Sequence, residues 1–219
     1  MATMRVPRDG LLAGHAPFLL SMLFVSAAIV VAALVKGLAL ATPASAPSGP
    51  SPFAYPEIRM APALDLIDHR ALPFSLAGLR GKPVLVFFGY THCPDVCPAT
   101  IGQLNLVLRD PVANPWIVYV TVDPERDTPE FLTEYLRYMP AGYVTLTGSA
   151  SQIRRAADDW GVSYARVETG SANGYTMAHT AEVYLVDAGG RLRAHYPFGT
   201  EAPAIVADLE RLAAEGGSS

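Results

Sequence analysis

Cys93 and Cys97 are the only cysteines in a chain of 219 residues, and both stand in Gly89-Tyr90-Thr91-His92-Cys93-Pro94-Asp95-Val96-Cys97-Pro98, directly after an apolar run that reads as a strand. Two thiols so close can ligate a soft metal, exchange with a disulfide, or pack as small hydrophobes. Their position where buried strand gives way to exposed loop favours the first two, because reactive groups concentrate on loops carried by rigid scaffolds. Asp95 is a good helix N-cap, which puts Cys97 in the first turn, where Pro98 loses nothing because its missing N–H would be unpaired anyway. The orphan amides of that turn stabilise a thiolate, bringing metal ligation and disulfide exchange within reach near neutral pH.

The elements around this pair follow from periodicity and caps. Residues 84–89 and 116–122 are continuously apolar, as strands covered on both faces are. Between them the helix that starts at the cysteines puts Ile101, Leu104 and Leu108 on one face. This is a βαβ unit, so the two strands are expected to be parallel neighbours. Before it, residues 63–68 and 74–76 alternate weakly and predict a small N-terminal hairpin, closed by a turn at Arg80-Gly81-Lys82. After it, Thr128-Pro129-Glu130 opens a helix to about residue 139, and Ser149 with Gln152 forms a capping box for a helix ended by Gly161. Short strands at 144–146 and 162–167 flank that helix. Residues 180–186 and 192–196 predict a hairpin across Asp187-Ala188-Gly189-Gly190, and Thr200 caps a last helix with Ile205, Leu209 and Leu212 inward. A parallel βαβ unit first, an antiparallel hairpin and a helix last, and a dithiol after the first long strand make a thioredoxin-like α/β fold with an N-terminal β-hairpin extension.

A defined metal site asks for more than two thiolates, and histidine is the commonest further ligand. Of five histidines, His15 lies near the N-terminus, and His69 and His195 sit beside turns and strands remote from the dithiol. His92 adjoins Cys93 but faces away from its neighbour; it is the weaker candidate, as ligand or as hydrogen-bond partner of one. His179 ends a loop rich in small residues, 169–178, and directly precedes a strand that this topology sets beside the dithiol. Its competing reading is a strand-edge histidine bonded to backbone. Met177 could be a soft ligand, but exposure or packing explains it better.

With 51% hydrophobic residues and a net charge of −4, the chain is neither a disordered tail nor a nucleic-acid binder, for which a basic face is expected. Part of the apolar content is local: residues 18–35 are interrupted only by Ser21 and Ser26. As a helix that run spans roughly 27 Å, close to the hydrocarbon core of a bilayer. Arg5 and Arg8 precede it, so the positive-inside rule leaves the N-terminus in the cytoplasm. The expected order is a cytoplasmic segment (1–17), a single transmembrane anchor (18–40), a linker rich in Ala, Pro and Ser (41–54) and a folded domain (55–219). The competing reading is a signal peptide cleaved near Ala39-Leu40-Ala41; either way the domain is exported, in a bacterium to the periplasmic side of the inner membrane. There a dithiol drifts toward disulfide unless metal or a reductant protects it. A domain of about 165 residues buries enough core without a disulfide scaffold.

Three segments together, the cysteine motif, Val122-Asp123-Pro124-Glu125-Arg126-Asp127-Thr128-Pro129, and Tyr175 followed by His179-Thr180, resemble the Sco/SenC family of membrane-anchored copper proteins. The likeness spans essentially the whole exported domain. It implies copper ligation by Cys93, Cys97 and His179, with Asp123 accepting hydrogen bonds around the ligands; Asp95 is the other acid placed for that role. It implies a metallochaperone rather than an enzyme, serving the dinuclear copper centre of cytochrome c oxidase, with that enzyme's copper-accepting subunit, another copper chaperone or a thiol reductase as partners. Soft thiolates suit Cu(I), and an added imidazole lets the set hold Cu(II) as well. Zinc with an open fourth position is a rival cargo. A thiol-disulfide oxidoreductase acting on the recipient's cysteines is the main alternative, and it needs Cys93 and Cys97 but has little use for His179; a peroxidase-like thiol enzyme fits the paired cysteines poorly. Members of the family often carry an acidic stretch before the Tyr-x-x-x-His element, where this chain has Ser171-Ala172-Asn173-Gly174.

Overall fold

The computed structural model describes residues 51–170 and 174–216. The expected cytoplasmic segment, anchor and linker up to residue 50 lie outside the described residues. Among those described, no helix is long and apolar enough to cross a membrane.

Among the described residues, nine strands and four α-helices follow one another as β1 (Ala54–Met60), β2 (Ile67–Asp68), β3 (Val84–Gly89), α1 (Val96–Val107), β4 (Trp116–Thr121), α2 (Pro129–Leu136), β5 (Tyr143–Thr147), α3 (Ala150–Trp160), β6 (Tyr164–Glu168), β7 (Tyr175–His179), β8 (Val183–Val186), β9 (Arg191–Tyr196) and α4 (Ala202–Gly216). Seven strands form one mixed sheet in the order β1-β9-β8-β3-β4-β5-β2, and β6 and β7 pair separately. The βαβ unit is as expected: β3 and β4 run parallel in register from Val84 against Trp116 to Gly89 against Thr121. On its other side β3 pairs antiparallel with β8. Every residue of β3 and β8 is buried, which is what a continuous apolar run requires of central strands. Burying each of these valine, leucine and phenylalanine side chains contributes about 1.5–3 kcal/mol. The result is a rigid floor that ends at the cysteines.

Ser149 and Gln152 form the full reciprocal capping box, and Gly161 takes the left-handed C-cap conformation at φ 73°. Thr128 caps α2 by accepting from the Phe131 amide. Thr200, expected to cap α4, instead donates its hydroxyl to the Pro197 carbonyl. The amide at the start of α4, that of Ala202, is taken by Gln103 Oε1 from α1, so one helix caps another against which it packs.

Two differences lie in the strands. The predicted N-terminal hairpin shrinks to a single bridge between Ile67 and Pro73, because residues 76–79 wind into a 3₁₀ turn capped by Ser75. The N-terminal extension is carried instead by β1, an exposed edge strand on β9 that contains Pro56, a residue only an edge tolerates. With most of its side chains exposed, β1 has no alternation to betray it. Residues 175–179, read as the end of a loop, form β7 and pair with β6 from Tyr164 against His179 to Glu168 against Tyr175. His179 is therefore the last residue of a strand.

Candidate metal centre

At the C-terminal end of β3 the chain turns sharply: the Cys93 amide donates to the Tyr90 carbonyl at 3.2 Å, and α1 begins at Val96. Cys97 lies in the first turn, as expected, and only 1% of it is exposed. Asp95 occupies the N-cap position, but its carboxylate makes no capping hydrogen bond. The sulfur of Cys93 does that work, accepting from the Cys97 amide at 3.4 Å. Asp95 contributes to the site through its own amide, which also points at that sulfur.

This arrangement splits the two thiols. Burial pushes the Cys93 thiol up, but the amides of Cys97 and Asp95, together with the Cys97 thiol and the Tyr90 hydroxyl, outweigh it, and the net shift is downward. Burial pushes Cys97 far up, reinforced by the neighbouring Cys93 and the Asp127 carboxylate. The amides that sequence reasoning assigned to Cys97 thus act on Cys93. Both thiols are free.

Gly89, the last residue of β3, lets this happen. A Cβ there would lie 2.9 Å from a Phe87 ring carbon and 3.0 Å from the Cys97 sulfur, closer than such atoms approach. The backbone must pass bare beneath the thiol.

His179 arrives from β7. Its Nδ1 lies 2.9 Å from the Thr180 carbonyl oxygen, which can only accept, so Nδ1 carries the proton and Nε2 presents a lone pair. That lone pair faces Cys97 Sγ at 3.5 Å. Burial lowers the imidazole pKa, against the opposing pull of the Thr180 carbonyl, and so favours the neutral ring that ligates metals. The rings of Tyr90 and Phe87 meet it edge-on, with centroids 5.9 and 6.4 Å away. The ligand atoms of Cys93, Cys97 and His179 all lie within 4.8 Å of one another, and among the described residues no other group of His, Cys, Asp or Glu side chains converges so as to hold a metal ion. Two soft sulfurs and one nitrogen suit a soft or borderline metal.

The profile of the SCO1/SenC family matches residues 55–214, which takes in every one of these groups. The chain belongs to the SCO1/SenC family. A SCO2-like protein of Rickettsia prowazekii is 34% identical over 189 residues, covering 84% of this chain and 92% of that protein. The solved structure of Bradyrhizobium japonicum ScoI with copper bound is 34% identical, with a TM-score of 0.62 over 70% of this chain and 99% of that one. The solution structures of apo Sco1 from Thermus thermophilus are 33% identical, with a TM-score of 0.59 over 75% of this chain and 93% of that one. The thioredoxin-like α/β fold is shared with these SCO1/SenC structures.

The remaining candidates of this SCO1/SenC chain fall elsewhere. His92 stacks on Phe131 with ring centroids 5.4 Å apart and keeps Nδ1 at 3.0 Å from the Thr91 hydroxyl. His195 lies on β9 with Nδ1 3.4 Å from Glu182, and His69 follows β2. His15 lies outside the described residues. Met177 packs against the core. Asp123 is buried, yet it bonds to neither sulfur: its two oxygens accept from Arg126 Nε at 2.5 Å and the Tyr175 hydroxyl at 2.8 Å.

Sequence reasoning passed over Asp127. This fully buried carboxylate accepts from the Thr91 amide (3.1 Å), the Thr91 hydroxyl (2.5 Å) and the Thr121 hydroxyl (2.6 Å), and so ties the loop before the cysteines to the end of β4. Burial raises its pKa against the pull of those donors. Its only signal in the sequence was an acid just before a Thr-Pro helix start, where an acid is ordinary.

Proposed function

We propose that this chain is a membrane-anchored copper metallochaperone, that Cys93, Cys97 and His179 hold its copper cargo, and that it serves the assembly of the dinuclear copper centre of cytochrome c oxidase. The observation that carries this reading is the meeting of Nε2 of His179 with the two sulfurs, with Nδ1 already committed to a backbone carbonyl. A dithiol enzyme has little need of that imidazole. Membership of SCO1/SenC and likeness to a copper-bound ScoI structure support the same cargo.

The burial of the three groups suggests the route of transfer. Cys97 is enclosed while Cys93 is only half-buried, so an incoming thiolate from a recipient approaches on the Cys93 side and displaces ligands from there. With both thiolates ionised and His179 neutral, Cu(I) leaves the set with one net negative charge and Cu(II) leaves it neutral, so the enclosed position tolerates either oxidation state. The reading further places the domain outside the cytoplasm, tethered through residues 18–40.

A second reading draws on the split between the thiols. An accessible thiol with a lowered pKa beside a buried one is the arrangement of a disulfide reductase. Cys93 would attack a disulfide of the recipient, releasing one recipient thiol and forming a mixed disulfide. Cys97 would then displace the second thiol, leaving a Cys93–Cys97 disulfide and passing two electrons and two protons to the recipient.

The test is anaerobic incubation of the detergent-solubilised full chain, loaded with Cu(I), with the copper-accepting subunit in reduced and in oxidised form. Metallochaperone activity transfers copper to the reduced subunit while the chain's own thiols stay free. Reduction of the oxidised subunit at full rate by a His179→Ala chain, with no copper transfer by wild type, would instead make the protein a reductase.

A further inference from the structure

His179 reaches the cysteines from a strand that the main sheet does not hold. β7 pairs with β6 alone, and the two form a sheet of their own. Downstream, the chain rejoins the main sheet at Val183, so the C-terminal end of β7 is tethered within a few residues. Upstream, its placement over the dithiol depends on side chains from the main body. The Tyr90 hydroxyl shares a 2.6 Å hydrogen bond with Thr176 Oγ1, and the Tyr175 hydroxyl donates to Asp123 at 2.8 Å. Arg126 joins these contacts. Its Nε donates to the second Asp123 oxygen at 2.5 Å and its Nη1 to the Tyr175 carbonyl at 3.2 Å, while its guanidinium carbon lies 3.8 Å from the Tyr175 ring centre and 5.7 Å from that of Tyr90. A second guanidinium, that of Arg166, covers the Tyr175 ring at 3.6 Å and pairs with Glu125 at 3.0 Å.

We infer that Arg126 is the positioning residue for His179, clamping β7 through Tyr175 and Tyr90 so that the imidazole stands over Cys97. Tyr90 relays the hold, since its ring meets the imidazole edge-on while its hydroxyl grips the same strand. A guanidinium suits the task because its edge donates along a fixed fork while its face stacks, two functions an ammonium does not combine. The side chain is largely enclosed, with 19% of its surface exposed, so its contacts are little diluted by water. This inference rests on the reading of Cys93, Cys97 and His179 as copper ligands and adds the residue that decides how firmly the third one is held.

Copper chemistry gives the clamp a selective signature. Cu(I) is satisfied by two soft thiolates, whereas Cu(II) depends more on the imidazole nitrogen. Loosening β7 therefore weakens Cu(II) binding far more than Cu(I) binding, whereas general damage to the fold weakens both. The experiment compares the full chain with Arg126→Met, which keeps the apolar stem and removes the fork and the charge. The expected result is an about 10- to 100-fold loss of Cu(II) affinity with less than about threefold change for Cu(I). In the metal-free chain, hydrogen exchange of the 164–168 and 175–179 amides is expected to accelerate while that of β3 and β4 stays unchanged. Equal losses for both oxidation states, or unchanged Cu(II) affinity and exchange, would overturn the assignment. Should Arg126→Met not fold, Tyr175→Phe removes only the hydroxyl bonded to Asp123; it is expected to show a smaller loss with the same preference for Cu(II), and an unchanged ratio would overturn the clamp. A wild-type chain that bound neither copper ion would refute the ligand assignment instead, and the exchange comparison would still decide the role of Arg126.

Discussion

Nε2 of His179 lies 3.5 Å from the sulfur of Cys97, although 82 residues separate them along the chain. Local structure alone could not bring the two together. Cys97 is set by the β3–α1 junction and His179 by a strand of a separate two-stranded sheet, so their meeting is a property of the whole domain. Because Nδ1 is bonded to the Thr180 carbonyl, the nitrogen that meets the thiol is the one free to bind metal.

The unequal thiols predict unequal chemistry. In the reduced, metal-free chain at neutral pH, iodoacetamide is expected to alkylate Cys93 well before Cys97, since the thiolate is the nucleophile and amides hold the Cys93 pKa below that of an ordinary thiol. The Cys93 rate is expected to rise with pH and level off once that lowered pKa is passed. Peptide mass spectrometry after partial reaction reads the order; equal labelling, or Cys97 first, contradicts the geometry.

Asp127 predicts a pH dependence of stability. Its folded pKa is raised, so the folded state binds its proton more tightly than the unfolded chain does. The corresponding stability is fully present below the ordinary aspartate value and is lost as pH rises through the raised folded one. Other acids, such as Asp68 and Asp187, have lowered pKa values and run the opposite way, so the measurement is a difference. In urea titrations the stability of wild type relative to Asp127→Asn is expected to fall across that window. A difference independent of pH would show that Asp127 has no raised pKa.

These cases also show where sequence reading stops. The central strands, α1 and the Ser149–Gln152 box were legible because each is written locally, as an apolar run, a helical face or a cap. Cys93 and Cys97 were legible because they are neighbours. The swap of roles at the helix start was not, since whether Asp95 or a cysteine sulfur meets the orphan amides depends on how the Tyr90–Cys93 turn is wound. β1 and β7 escaped because exposed or half-exposed strands lack the alternation that burial imposes. Asp127 and Arg126 each take decisive partners from a distant segment, Thr91 and Tyr175 respectively, and no spacing announces those meetings.

Gly89 predicts a steric effect beneath the thiol. In Gly89→Ala the added methyl meets both the Phe87 ring and the Cys97 sulfur, and overpacking of this kind costs about 1–3 kcal/mol. The strain falls on the sulfur as well as on the core, so copper affinity is expected to drop together with the urea midpoint. An alanine variant with wild-type affinity would show that Cys97 has room the structure denies it.

Absorption spectroscopy of the chain reconstituted with Cu(II) bears most directly on the three converging groups. Wild type is expected to develop an intense thiolate-to-Cu(II) charge-transfer band that saturates at a single equivalent, with Cys97→Ser and His179→Ala each losing it. A His179→Ala chain that kept the full band at unchanged copper affinity would contradict a site built from Cys93, Cys97 and His179.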